Sequence, residues 1–200
     1  ISTIILFIIC FYFYFYKYFY KLVFESFENS GTYILLGDSI LNNSNYVKEN
    51  ENIENKFNDN VINLAKDNAN LFTIESQINK LNDLQINKTD KIVLSVGGND
   101  LLANRNINDL KIQYTNLLDQ IKNKFPYNEI ILLDIYYPDE KNYKNYYGVI
   151  TQWNNFILSF KNKQVKVALI SEIISQDDLI FNIEPSSLAG QKIVNLIMDS

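Results

Sequence analysis

Histidine is absent from the 200 residues, so no imidazole is available to act as a base or a ligand. The one cysteine, Cys10, lies in an apolar run, which excludes an intrachain disulfide and a thiolate metal cluster. There is no basic excess: 18 Lys+Arg stand against 23 Asp+Glu, a net charge of -5, which excludes a basic nucleic-acid binder. No Gly-x-x-x-x-Gly-Lys phosphate loop occurs, and the Gly97-Gly98 pair lacks the third glycine of a dinucleotide fingerprint. No internal repeat is visible. With 47% hydrophobic residues the chain is no disordered polymer, and its length suits one globular domain plus a tail rather than a two-domain enzyme.

Asn, Ile, Lys, Tyr and Phe dominate what is present, the pattern of an AT-rich coding sequence, so their abundance carries little functional weight. The sequons at Asn42 and Asn87 are discounted for the same reason. Residues 1–16 carry no charge, and apolar and aromatic character continues to Phe24 with Lys17 and Lys21 interrupting. At about 1.5 Å per residue, 24 helical residues span roughly 36 Å, enough for a bilayer core with the lysines snorkelling at one end. A single-pass membrane anchor over 1–24 is therefore expected, with the side of the following domain left open. A cleaved signal peptide is the weaker alternative, lacking a basic start and a small-residue cleavage site. The Phe/Tyr alternation over 11–16 would equally suit a strand. Residues 25–32 read as a linker.

From residue 33 onward, short apolar runs alternate with segments of helical period. Strands are expected at 33–36, 61–64, 91–96, 129–135 and 165–170. Helices are expected near 45–57, 73–84, 107–124, 149–160 and 187–198. Ile107, Leu110, Tyr114, Leu117, Leu118 and Ile121 recur at three- and four-residue spacing and form one apolar face. Such alternation implies a parallel sheet covered on both faces, a flavodoxin-like α/β/α sandwich of five strands over residues 33–200.

Ligands in such sheets sit beyond the carboxyl ends of the strands, at the point where the winding reverses. Two loops there stand out. The first strand runs into Gly37-Asp38-Ser39, placing a serine at an expected strand-to-helix turn, near a helix N-terminus that favours developing negative charge. The third ends in Gly97-Gly98-Asn99-Asp100. A strand order of 2-1-3-4-5 would bring Ser39 and Asn99 to one crevice. Each residue also has a plainer role: Ser39 and Asp100 as helix caps, Asn99 as a turn residue, Asp38 as an acceptor for loop N–H groups. Tyr136, Tyr137, Tyr143, Tyr146, Tyr147 and Trp153 are read as packing residues, and Glu49, Glu51 and Glu54 as a solvated helix face.

Residues 33–39, ending in Gly37-Asp38-Ser39, resemble the nucleophile block of the SGNH (GDSL) ester hydrolases, and Gly97-Gly98-Asn99-Asp100 resembles their Gly-x-Asn-Asp block. The segment 61–69 is similar to the block that holds an oxyanion-hole glycine, and 183–193, with Glu184-Pro185-Ser186, to the final block. The four occur in family order across the whole of the domain. The resemblance implies hydrolysis of a small-molecule ester or acylated substrate, without cofactor or metal. It implies Ser39 as nucleophile, with its own N–H and the Asn99 amide as oxyanion donors.

Two departures follow. Asn68 aligns with the oxyanion glycine; asparagine is the non-glycine residue that best tolerates positive φ, so the backbone donor can survive there. The final block lacks the family's Asp-x-x-His: Glu184 stands in the histidine's place, and Asp177 and Asp178 lie too early. A glutamate with pKa near 4.3 is about two units weaker a base than imidazole, although burial lifts it toward about 6 or 7. A solvated cap ahead of Pro185 is the plainer role for Glu184. Two readings therefore stand: a membrane-attached serine esterase using Glu184 or lacking a base, and an inactive domain that binds an acylated or carbohydrate-like ligand. A third is a domain that presents a partner surface at the membrane. The oligomeric state is not fixed by the sequence.

Overall fold

The structure is a computed structural model that describes residues 12, 14–18 and 31–200. Residues 12 and 14–18 are helical, with Tyr12 stacked on Tyr16 and Tyr14 on Tyr18. The rest of the expected anchor over 1–24, and the linker up to residue 30, lie outside the described residues. Among the described residues no helix is long and apolar enough to cross a membrane.

Five parallel strands form the sheet: β1 (Tyr33–Gly37), β2 (Val61–Asn63), β3 (Lys91–Ser95), β4 (Glu129–Leu133) and β5 (Val165–Ala168). Their order is β2-β1-β3-β4-β5, as the sequence pattern predicts, with Gly37 in register with Ser95. The winding reverses between β1 and β3, so the carboxyl ends of these two strands flank the crevice.

Period-two alternation assigns each strand residue to a face. Ile34, Leu36, Ile92, Leu94, Ile130 and Leu132 face one layer, and Tyr33, Leu35, Val93, Ile131 and Leu133 the other. The first layer holds α1 (Glu75–Lys80), α2 (Gly98–Leu102), α3 (Ile107–Lys124) and, after the short α4 (Glu140–Tyr143), α5 (Tyr147–Leu158). In it Trp153 and Tyr114 are fully buried and meet edge to face, 5.4 Å between centroids. The opposite layer is built mainly by α6 (Ser187–Met198), through Ala189, Ile193, Val194 and Ile197. A two-stranded antiparallel hairpin, β6 (Leu179–Ile180) and β7 (Glu184–Pro185), precedes α6.

The helix expected over 45–57 is not formed; only two single-turn 3-10 segments occur there, Glu49–Glu51 and Glu54–Lys56. Asparagine side chains capture the backbone first. Asn43 accepts from the Ile53 N–H, Asn52 from that of Asn55, and the Asn55 amide donates to the Glu49 carbonyl. Ser39 is likewise followed by turns, and the helix N-terminus expected behind it is absent. The helices expected over 107–124 and 187–198 are formed with those ends; the one expected over 149–160 runs from Tyr147 to Leu158, and α1 is shorter than 73–84. The sequence pattern did not foresee α2, α4 or the hairpin.

Candidate active site

Glycines carry the chain from each central strand into the site. Gly37 has φ 150°, and a Cβ there would stand 2.0 Å from the Ser95 carbonyl oxygen. Gly97 has φ 118° and lies against Trp153, where a Cβ would come within 2.4 Å of the indole. Only glycine fits such approaches. Gln77, buried on α1, clamps Gly37 from both sides: its Oε1 accepts from the Gly37 N–H and its Nε2 donates to the Gly37 carbonyl, each at 2.8 Å. Beyond this clamp Asp38 donates its N–H to Ser95, and its Oδ1 accepts from the Ile40 N–H at 3.1 Å. Ser39 is thus held on a fixed turn.

Ser39, Asn99 and Glu184 line one cleft of about 480 Å³, counting its open mouth. Ile40, Leu102, Ile135, Ile150 and Ile183 give it apolar walls, and Asp38 and Tyr136 complete the polar lining. The Asn99 amide donates one proton to the Ala69 carbonyl at 2.8 Å, which fixes the side chain and leaves its second N–H for a ligand. Asn68, beside Ala69, has φ 58° and is exposed; it is not among the cleft's lining residues. Among the described residues no backbone carbonyl accepts from the N–H of Ser39 or of Asn68.

Glu184 enters from β7 and is half-buried rather than a solvated cap. Burial raises its pKa, Ser39 acting as a hydrogen-bond donor opposes this, and the charge of Asp67 adds to the rise. Its Oε2 is buried without a hydrogen-bond partner. The hairpin is closed by Phe181 and Asn182, both at positive φ (50° and 69°), with the Ile183 N–H bonded to Ile180. Tyr136 anchors this turn, its hydroxyl donating to the Ile183 carbonyl at 2.6 Å.

The other acidic residues of these blocks are engaged elsewhere. Asp100 is buried and accepts from the Leu71 N–H and from Arg105. Asp178, which burial alone would raise, is held below its ordinary pKa by Lys192 and by the Ser175 N–H and hydroxyl. Asp67 accepts from the Tyr46 hydroxyl at 2.7 Å. Among the described residues no group of three or more acidic, Cys or His side chains is placed to hold a metal. Gln77 and Tyr136 were not singled out for the site in the sequence. Gln77 had a signal, as the polar residue among Ile74, Ile78 and Leu81 on an otherwise apolar face.

The fold, compared with known structures, is that of the SGNH (GDSL) lipolytic hydrolases. A member of the lipolytic G-D-S-L family from Veillonella parvula superposes with TM-score 0.68 at 16% identity, covering 84% of this chain and 96% of that one. A lipase from a goat rumen metagenome gives 0.67 at 19%, over 84% and 96%. A family 3 carbohydrate esterase from Clostridium thermocellum gives 0.63 at 21%, over 84% and 93%. No family model and no curated protein matches the sequence.

Proposed function

We propose that this chain is a serine ester hydrolase in which Glu184 takes the part of the missing histidine. The observation that carries the reading is the shared cleft: a serine hydroxyl, a carboxamide with a free N–H and a carboxylate of raised proton affinity line one apolar-walled opening. The lipolytic and esterase fold neighbours support the same reaction class. In the proposed reaction the Ser39 Oγ bonds to the acyl carbon while its proton passes to Glu184. The oxyanion accepts from the Ser39 N–H and the Asn99 amide; Asn68 supplies a third donor if its N–H turns into the cleft. The tetrahedral intermediate collapses, the bond to the alcohol oxygen breaks, and Glu184 returns the proton to that oxygen. Water then attacks the acyl-serine, its proton passing through Glu184 to the Ser39 oxygen, and the acid leaves.

A preorganised donor at the oxyanion lowers the barrier by about 3 to 4 kcal/mol, and a base near the working pH adds about 10²- to 10⁴-fold. Burial and Asp67 move Glu184 in the direction such a base requires. The absence of histidine favours a second reading, a binding domain that keeps the cleft without the reaction. A fluorophosphonate probe separates them. Labelling of the wild-type chain that disappears in Ser39→Ala supports the hydrolase, and no labelling across about pH 6 to 9 favours the binder. Attachment to a membrane through residues 1–24 is part of the proposal; it rests on the uncharged apolar run, and carbonate-resistant sedimentation with membranes tests it.

A further inference from the structure

Asp38 and Glu184 line the same cleft from different ends of the domain, one on the turn after β1 and the other on β7. Among the described residues neither has a cationic partner. Asp38 is 3% exposed. Its Oδ1 is engaged by the Ile40 N–H, while Oδ2 points toward Gly98, 3.9 Å from where a Cβ would stand. Gly98 itself places no side chain against that oxygen. Glu184, for its part, has a buried oxygen with no donor.

We propose that Asp38 is a positioning residue for the reaction: its charge, acting across the cleft, sets the basicity of Glu184 toward the Ser39 hydroxyl and so the pH window of catalysis. This rests on the hydrolase reading above. The charged and titratable groups around the pair are few. Glu184 and Asp100 face Asp38, and Asp100 is already paired with Arg105. Asp67, on the loop after β2, faces Glu184. Tyr136 lies within the field of both carboxylates and Tyr46 within that of Glu184 and Asp67, and both phenols stay protonated because the same negative charges and burial raise them. Burial, and then Glu184, push Asp38 up to about 7. An acid of that strength changes charge in the range where a carboxylate base must work. Coupling is reciprocal: whatever the charge of Glu184 does to Asp38, the charge of Asp38 does to Glu184. Above neutrality the ionised Asp38 makes Glu184 the stronger proton acceptor; below it, a neutral Asp38 lets Glu184 weaken.

The test is a carboxyl-carbon NMR titration of the aspartate-labelled full chain, with Asp38 assigned through its own amide, together with pH profiles of kcat/KM on a simple phenyl ester. The expected result is an Asp38 midpoint near 7, which falls by roughly one unit in Glu184→Gln, the scale at which neighbouring sites titrate as a pair. In Asp38→Asn the acidic limb of the profile moves to lower pH and the plateau drops, because Glu184 has become a weaker base. A purely structural role would lower the plateau and leave the limb in place. An Asp38 midpoint in the ordinary carboxylate range, or one unmoved by Glu184→Gln, overturns the proposal, and the titration reads this even if Asp38→Asn fails to fold. A coupled titration in a chain that neither hydrolyses esters nor takes the phosphonate supports the pair and overturns the hydrolase reading instead.

Discussion

Replacing Gln77 with leucine tests how the turn that bears Ser39 is held. The side chain fills a fully buried position and makes two 2.8 Å bonds to one residue, Gly37. The Gly37 carbonyl also accepts from the Lys66 N–H at 2.9 Å, so it stays satisfied when Gln77 is lost. Among the described residues the Gly37 N–H has no second acceptor, so it becomes a buried orphan. An orphaned donor costs about 1 to 3 kcal/mol, and the lost bond to the carbonyl adds about 1. For a domain of this size each kcal/mol lowers the melting temperature by about 2 to 4 °C, so Gln77→Leu is expected to melt roughly 4 to 16 °C lower. Thermal unfolding followed by far-UV circular dichroism measures it. Gln77→Glu sharpens the test, since an ionised carboxylate still accepts from the N–H but repels the carbonyl. Its deficit relative to wild type should shrink as pH falls and the acid proton replaces the lost donor. A leucine variant that melts within about 1 °C of wild type would refute the clamp.

Asn99→Ala should lower kcat/KM for an ester by about 10²- to 10³-fold while costing only about 1 kcal/mol of stability for the lost bond to Ala69; a loss below about tenfold in steady-state assays would remove Asn99 from the oxyanion site. Gly97→Ala, which needs φ 118° and puts a Cβ 2.4 Å from Trp153, should cost more than about 2 kcal/mol in urea unfolding. The raised Asp38 gives a pH signature. Its proton is bound more tightly in the folded state, so its contribution is favourable below pH 3.8 and is lost as pH rises toward about 7. Denaturant midpoints of the wild type should therefore fall over that range, and those of Asp38→Asn should fall less.

The sheet was legible because its strands are short apolar runs at the spacing of crossover connections, and the order 2-1-3-4-5 places the loops after β1 and β3 at the crevice. The expectation that Ser39 and Asn99 share a crevice has the same source, and both line one cleft. Asn68 could be expected at positive φ because asparagine tolerates it, and it adopts 58°. Residues 45–57 were misread because an amphipathic pattern does not reveal that Asn43 and Asn52 side chains will take the backbone donors. The expected helix dipole behind Ser39 went with it. The β6–β7 hairpin was invisible since its turn uses Phe181 and Asn182 where a left-handed pair ordinarily calls for glycine. The depth of Glu184 in the cleft depends on that turn and on Tyr136, which no local pattern encodes.

The hairpin bearing Glu184 follows all five sheet strands, and α6 after it builds most of the opposite layer of the core. A growing polypeptide that has released β5 from the ribosome carries Ser39 and Asn99 but not yet the carboxylate that shares their cleft. Glu184 and the helix that closes this layer follow one another in the chain, so the cleft gains its carboxylate only as the core is completed.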